Sequence, residues 1–417
     1  MKALVVGNGA REHAIAWKFA RSNRISGLYM APGNAGTSAL GENLDSVSAE
    51  DIEAVVRAAV DTRVDLVFVG PEVPLANGLV DALARERIAA IGPPAAAARL
   101  EASKAESKRF METYRIPTAP HRTFSDADRL ERYLRTAAER VVVKKSGLAA
   151  GKGVIESDDV DELVSAGRKF VEEGDSVVVE TRLSGYEVSV FGISDGTDYL
   201  LLPACTDYKK AGIGGTGPNT GGMGALCPVP WLTPEELHTI RTSIIDPTYA
   251  GLRDAGMSYR GVLYFGVMVT DRGPMLLEYN VRFGDPETQV VLPLLQNDFG
   301  NLCDAVLNGA IASFPLKLST DTAVGVVVAA PGYPSSYPAG LVVEKLPSAP
   351  DREALVFHAA TSVREDGATV TGGGRCFTVV GLGPRLLTAR TRAYTAAKDV
   401  VFPGSWFRPD IGGRIFG

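Results

Sequence analysis

The sequence runs to 417 residues, 45% hydrophobic and 22% charged, long and apolar enough for two to four domains with buried cores. Its 43 Lys and Arg stand against 49 Asp and Glu, a formal net charge of -6, so the basic excess that a nucleic-acid backbone requires is missing. Cys205, Cys227, Cys303 and Cys376 lie far apart without metal-type pairing, and no secretory leader is legible. Apolar runs such as Thr322 to Pro331 fall short of the roughly 20 residues of a membrane-spanning helix. The expectation is a soluble cytoplasmic protein with neither nucleic acid nor membrane as partner.

In chain order, strand patterns at Ala3 to Val6, Gly27 to Ala31 and Leu66 to Val69 alternate with helices from about Arg11 and after Ser48. This βαβ alternation predicts a parallel sheet. Gly7-Asn8-Gly9, Pro32-Gly33-Asn34 and Gly70-Pro71-Glu72 follow the strands, so these turns gather at the carboxyl edge, where open α/β sheets bind ligands. A helix is expected over Arg99 to Thr113. Strands at Arg140 to Lys145 and Ser176 to Glu180 then flank a glycine-rich turn, a small sheet-containing unit over 119–185. From 186 to about 320 the pattern is α+β, with a loop from Lys209 to Gly224 and strands at Val262 to Thr270 and Pro274 to Tyr279. This segment is the expected catalytic floor. The remainder, 321–417, with strand patterns at Ala323 to Ala330 and Val370 to Gly374 and a helix from about Leu387, reads as a strand-rich closing domain. The predicted class is α/β and α+β, multidomain, opening with a parallel-sheet domain over 1–118.

Gly7-Asn8-Gly9 after a strand invites a dinucleotide reading, but Glu12 occupies the third glycine position and the second strand ends without a ribose-binding acid. The turn still aims backbone N–H groups and a helix start outward beside Arg11, which suits a phosphate; a turn that merely needs glycine is the plainer alternative. Gly147 to Val154 has three residues between its glycines and no Ser or Thr after Lys152, so it is not a Walker A loop. Its place between two strands fits a flap over a triphosphate, or a bare hairpin. Glu278 and Asn280 are two apart in a strand and share a face, where two oxygen ligands can hold magnesium on substrate phosphates. A solvated strand face would look the same. Arg282-Phe-Gly-Asp-Pro-Glu-Thr-Gln289 packs a guanidinium and two carboxylates into a turn, and an arginine there can grip a carboxylate or acyl phosphate with two hydrogen bonds.

Together these segments carry a resemblance. Gly7 to Ala14, Ala31 to Thr37, Val69 to Leu75, Gly147 to Val154, Thr216 to Gly224 and Asn280 to Gln289, collinear from Met1 to the Asp410-Ile411-Gly412 stretch, are similar to the phosphoribosylamine-glycine ligase family, of the ATP-grasp class. The resemblance implies a pre-ATP-grasp first domain, an ATP-grasp fold and the closing domain. It implies Lys104 and Lys144 on the ATP phosphates, Gly151, Lys152 and Gly153 in the lid, Glu180 and Leu183 meeting adenine through backbone groups, and Glu187 on the ribose hydroxyls. Glu278 and Asn280 would hold Mg2+ or Mn2+. Asn8, Arg11, Gly33, Asn34 and Glu72 would shape the phosphoribosylamine pocket, with Asp207, Asn219, Thr220 and Gly221 on the substrate side and Arg282, Asp285 and Lys209 as catalytic residues. The implied partners are ATP, an amino acid and phosphoribosylamine, in a monomer or small homo-oligomer.

The chain departs from the family pattern after Asp207, where Ile213 and Gly215 stand in place of spaced acidic residues, and Ser146 replaces a common Asp. Carboxylates lost near an amine-bearing substrate remove charge-assisted hydrogen bonds of about 1.5 to 3 kcal/mol each. Two alternatives therefore stay open: the same ATP chemistry with a different acid or amine, and nucleotide binding without turnover. His13 is read as a packing or supporting polar residue and not as a base.

Overall fold

The computed structural model describes residues 1–149, 153–347 and 353–413. The chain opens with strands β1 (Lys2–Gly7), β2 (Gly27–Pro32), β3 (Glu42–Asn43), β4 (Leu66–Val69) and β5 (Ala89–Ile91), and helices α1 (Ala10–Ala20), α2 (Ile52–Thr62), α3 (Glu72–Ala76), α4 (Leu79–Arg85), α5 (Ala95–Ala102) and α6 (Lys104–Thr113). The strands form one all-parallel sheet in the order β3-β2-β1-β4-β5. Every residue of β4 is buried, as expected of a strand covered on both faces. Successive strands step to either side of β1, so the turns after β1 and β4 face each other across the switch in strand order. The single helix expected over Arg99 to Thr113 is two, because Ser103 adopts an extended conformation and its hydroxyl caps α6 by accepting from the Glu106 N–H.

The next unit consists of β6 (His121–Phe124), α7 (Ala127–Thr136), β7 (Val141–Lys145), β8 (Val154–Glu156), α8 (Val160–Glu172) and β9 (Val177–Thr181). Its antiparallel sheet, ordered β6-β9-β7-β8, packs its own small core of Leu130, Val143, Leu163 and Val179 under the two helices. The third unit has a sheet ordered β11-β10-β16-β17, built from β10 (Tyr186–Asp195), β11 (Tyr199–Leu201), β16 (Arg260–Thr270) and β17 (Gly273–Asn280). Between them come β12 (Thr206–Asp207), β13 (Lys210–Gly212), β14 (Thr216–Asn219), β15 (Gly224–Cys227), α9 (Pro234–Ile240) and α10 (Asp246–Asp254), with α11 (Glu287–Val291) and α12 (Phe299–Leu307) following. The stretch from Lys209 to Gly224, expected as a loop, contains the β13–β14 hairpin.

The last unit has β18 (Thr322–Ala329), β19 (Ala354–His358), β20 (Thr361–Val363), β21 (Thr369–Thr371), β22 (Arg375–Gly383) and α13 (Leu386–Ala397). Its sheet runs β12-β15-β18-β22-β19, so two strands from the preceding unit complete it. The strand expected over Val370 to Gly374 stops at Thr371, and three glycines separate it from β22. All four cysteines are free and buried. No helix among the described residues is long and apolar enough to cross a membrane.

Candidate active site

A cleft of about 680 Å³ lies where the four units meet. Its walls carry side chains from the first sheet's edge, the small antiparallel sheet, the floor strands and the closing domain.

At one end of the cleft, the N-terminus of α6 presents Lys104 and β7 presents Lys144, the two lysines expected on the ATP phosphates. Lys144 donates to the Glu180 carboxylate at 2.9 Å, and Lys108, one turn beyond Lys104, faces the other Glu180 oxygen at 3.1 Å. Burial works against charge on Glu180, but Lys144 and then Lys108 outweigh it and hold the carboxyl below its ordinary range. Lys108, pulled down to about 8 by burial against the pull of Glu180, also donates to the Thr118 hydroxyl at 2.6 Å. Burial likewise lowers Lys104, with Glu278 opposing and Lys144 assisting; its ammonium reaches the Gly147 carbonyl at 3.4 Å. The Glu180 side chain is thus committed to two lysines, and Leu183 lies on the cleft wall just beyond. Of the flap residues, Gly153 lines the cleft, while Gly151 and Lys152 lie outside the described residues.

The floor is β17. Glu278 pairs with Gly266 and Asn280 with Tyr264, and a bulge leaves Leu277 without a partner, so the two ligand candidates share the cleft face. Burial opposes charge on Glu278, yet Lys209, Lys144, Lys104 and Arg282 keep it ionised below the usual carboxylate range. An ionised carboxylate and an amide oxygen on one face, opposite the two lysines, are the hard donors that suit a divalent cation bridging phosphates. Lys209 bonds to Glu187. Burial disfavours its charge, but Glu187 and Asp207 raise it well above the ordinary lysine range. Asp207 goes the other way. Burial raises its carboxyl to about 8, Lys209 resists, and Glu287 and Glu187 add to the rise. Glu287 is raised by burial too, and accepts a hydrogen bond from Ser189 at 3.3 Å.

Arg282 stands at the junction. Its Nε donates to Glu72 at 3.2 Å, Nη1 to the Phe283 carbonyl at 3.1 Å and Nη2 to Glu101 at 2.7 Å. Three of the five guanidinium N–H groups are thereby fixed, leaving one on each Nη for a ligand. Burial would raise Glu72, but Arg282 and Arg11 hold it down at about 2. Glu101 is raised to about 7 by burial, with Arg282 opposing, and its second oxygen accepts the Val281 N–H at 2.7 Å. Arg11 reaches Glu12 at 2.6 Å and the Phe283 carbonyl at 3.2 Å. Glu12 fills the space under the two turns, its Oε2 accepting the Gly9 N–H at 2.7 Å. A Cβ at Gly7 or Gly70 would overlap this carboxyl, which is why glycine stands at both. Asp285 is held on both oxygens, by Gln289 at 2.7 Å and by Arg375 at 3.1 Å.

Other expected residues sit differently. Asn34 uses its whole amide on the backbone: Nδ2 donates to the Asn8 and His358 carbonyls, each at 2.9 Å, and Oδ1 accepts from Gly36 and Thr37. Neither it, Asn8 nor Gly33 forms part of the cleft wall, whereas Arg11 and Glu72 do. His13 is buried, its Nδ1 accepting the His358 N–H at 2.9 Å, and burial takes its pKa down to about 3. Asn219, Thr220 and Gly221 line the opposite rim, with Thr220 bonded through its hydroxyl to the Lys209 carbonyl at 2.8 Å. Ile213 is 61% exposed at the hairpin tip, where the Gly214 N–H is held by Asp410 at 2.8 Å. The sequence reading missed Glu101, Lys108 and Arg375, and counted Glu287 only as one of the two carboxylates of the Arg282 turn. Glu101 and Lys108 lie within the stretch expected as a helix over Arg99 to Thr113; Arg375 follows the expected strand over Val370 to Gly374 and belongs to no motif.

Sequence models of phosphoribosylglycinamide synthetase match residues 1–101 (N domain), 102–288 (ATP-grasp, or A, domain) and 323–414 (C domain). The chain belongs to the phosphoribosylglycinamide synthetase family. It is 42% identical to phosphoribosylamine--glycine ligase of Chlorobaculum tepidum, covering 99% of this chain and 100% of that one. It is also 42% identical to the trifunctional purine biosynthetic protein adenosine-3 of Gallus gallus, covering 99% of this chain and 42% of that one. The crystal structure of phosphoribosylamine--glycine ligase from Thermotoga maritima superposes with a TM-score of 0.85 at 34% identity, over 99% of this chain and all of the other. A biotin carboxylase domain from Hydrogenobacter thermophilus, in complex with MgADP, reaches 0.75 at 17% identity over 97% of this chain and 91% of that one. This likeness shows that the family's ATP-grasp fold is shared more widely.

Proposed function

We propose that this chain joins glycine to 5-phosphoribosylamine with ATP, through a glycyl phosphate, giving glycinamide ribonucleotide, ADP and phosphate. The observation that carries this reading is the convergence of Lys104 and Lys144, the Glu278 and Asn280 face and the half-committed Arg282 guanidinium on one cleft, in a chain 42% identical to a phosphoribosylamine--glycine ligase. The glycine carboxylate attacks the terminal phosphorus of ATP in line, and the bond to the bridging oxygen breaks as ADP leaves. Lys104, Lys144 and Arg282 neutralise the charge that spreads over the transferred group. Glu278 and Asn280 would hold Mg2+ or Mn2+, which supplies further charge neutralisation on the phosphates when bound. The phosphoribosylamine nitrogen then attacks the acyl carbon, the carbon–oxygen bond to phosphate breaks, and the nitrogen loses a proton. Asp207 lies on the cleft wall beside Lys209, and its ionised form would receive that proton. The acyl phosphate must be kept from water until the amine attacks.

Asn8, Gly33 and Asn34 support the amine pocket through the turn they build, and Arg11 and Glu72 face it directly. Domain limits near 118, 185 and 320, a cytoplasmic location and a monomer or small homo-oligomer complete the proposal. Gly215, which lines the cleft at a position where the family pattern has an acid, favours a second reading in which another amino acid is taken; Ile213, the other such position, is exposed outside the cleft wall. One experiment tests both: purified protein with ATP and Mg2+, supplied with glycine and freshly generated phosphoribosylamine, assayed for ADP and for product mass. Stoichiometric glycinamide ribonucleotide supports the first reading. An amide formed only with a different amino acid supports the second.

A further inference from the structure

We propose that Arg375, from the closing domain, is a positioning residue for the non-nucleotide substrates; the proposal rests on the reading above and deepens it. Arg375 opens β22, yet its guanidinium reaches out of its own sheet into the wall of the cleft. Nη1 donates to the Gly221 carbonyl at 2.6 Å and to the Asp285 carbonyl at 2.8 Å, with the Gly222 carbonyl at 3.4 Å. Nη2 donates to the Asp285 carboxylate at 3.1 Å. One side chain therefore ties the rim that carries Asn219, Thr220 and Gly221 to the turn that carries Arg282 and Asp285.

The tie is reinforced on both sides. Gly222 has a φ of +110° and lies so close to Pro286 that a Cβ there would overlap the proline ring, so the two segments pack directly on each other. Tyr333, also from the closing domain, accepts the Gly221 N–H at 3.1 Å. Gln289 holds the Asp285 oxygen that Arg375 leaves. An arginine is needed because only a planar fork serves a carboxylate and several carbonyls at once; a lysine would supply one point charge. None of these contacts extends to Lys104, Lys144 or Glu180, which hold the other end of the cleft. Loss of Arg375 should therefore loosen the half of the site that receives amino acid and amine, and leave the nucleotide half in place.

The test compares Arg375→Gln, Arg375→Lys and Tyr333→Phe with the unaltered full-length protein, measuring kcat and KM for glycine, phosphoribosylamine and ATP separately, together with melting temperature. Arg375→Gln is expected to lower kcat/KM for the two non-nucleotide substrates by about ten- to a hundredfold, the scale of a lost charge-assisted hydrogen bond. KM for ATP should stay within about threefold. Arg375→Lys should fall between, and Tyr333→Phe, which removes a single acceptor at the surface, should shift the same parameters by a few fold at unchanged melting temperature. A matching loss in ATP KM, or a lower melting temperature with unaltered kinetics, would overturn the proposal. If Arg375→Gln does not fold, the other two variants carry the same comparison. Failure of the functional reading looks different, since the unaltered protein would then form no amide.

Discussion

The Glu180 carboxylate holds the Lys144 ammonium at 2.9 Å while its second oxygen faces Lys108 at 3.1 Å, so a single buried acid serves two buried cations at one end of the cleft. Removing one member of such a set strands the others in a poorly solvating place, at a cost of about 3 to 5 kcal/mol. Glu180→Gln is predicted to lose stability on that scale and to raise KM for ATP. The double variant Glu180→Gln with Lys108→Met should recover part of the stability, because one stranded cation is gone. Urea unfolding of the three proteins decides it; a double variant less stable than Glu180→Gln would show that the lysines are not coupled through Glu180.

Glu101 gives a pH dependence. Its carboxyl, raised by burial against Arg282, titrates at about 7 in the folded protein, compared with about 4.3 in an unfolded chain. Between those values the folded state keeps a proton that the unfolded state has lost. The stabilisation is therefore complete below about pH 4.3 and is lost as the pH rises through about 7. At about 1.4 kcal/mol per unit, Glu101→Gln should remove a decline of about 2 to 3 kcal/mol between pH 5 and 7.5. Unfolding free energies of both proteins at the two pH values measure it, and parallel profiles would count against this assignment.

Chelation of divalent cations should stop turnover, and Mg2+ should restore it. Glu278→Gln keeps the shape of the floor but loses the ionised donor, so its half-saturating Mg2+ concentration should rise at least about tenfold. An unchanged Mg2+ requirement would move the cation elsewhere.

Gly70→Ala places a methyl group against the Glu12 carboxyl that supports the turn carrying Gly9. Overpacking of this kind costs about 1 to 3 kcal/mol. KM for phosphoribosylamine should rise while KM for ATP holds, because the disturbed turns lie beside Arg11 and Glu72 and away from Lys104 and Lys144. Equal changes in both would show that the two ends of the cleft are not independent.

What the sequence made legible follows from periodicity and local chemistry. Three strands of the first sheet, β1, β2 and β4, were readable because each is a short apolar run closed by a glycine turn, and β4 falls on Leu66 to Val69 as expected; the polar pair of β3 and the short β5 carried no such pattern. Glu278 and Asn280 were readable because two-residue spacing fixes a common face, and the bulge at Leu277 precedes both and leaves it intact. Charges that matter only once buried were not readable. Lys108 and Glu101 are ordinary helix residues until Glu180 and Arg282 are brought against them from 72 and 181 positions away. Asn34 shows the reverse: its motif suggested a ligand contact, and the structure spends its amide on five backbone partners. Arg375 has no local signal, since its partners are brought to it by a sheet that spans two units.

That sheet has a consequence for inheritance and mechanics. The ladder from β15 to β18 joins Gly224–Cys227, inside the stretch matched by the ATP-grasp domain, to Thr322–Ala329 at the start of the C domain. A cut between these two modules, by a protease or by a gene fusion that exchanges one of them, would leave each half with an unpaired strand edge exposed to other chains. The segments that recombine as sequence are therefore not the segments that unfold as bodies, and a chimaera that exchanges the closing domain must rebuild the β15–β18 ladder from strands of two parents.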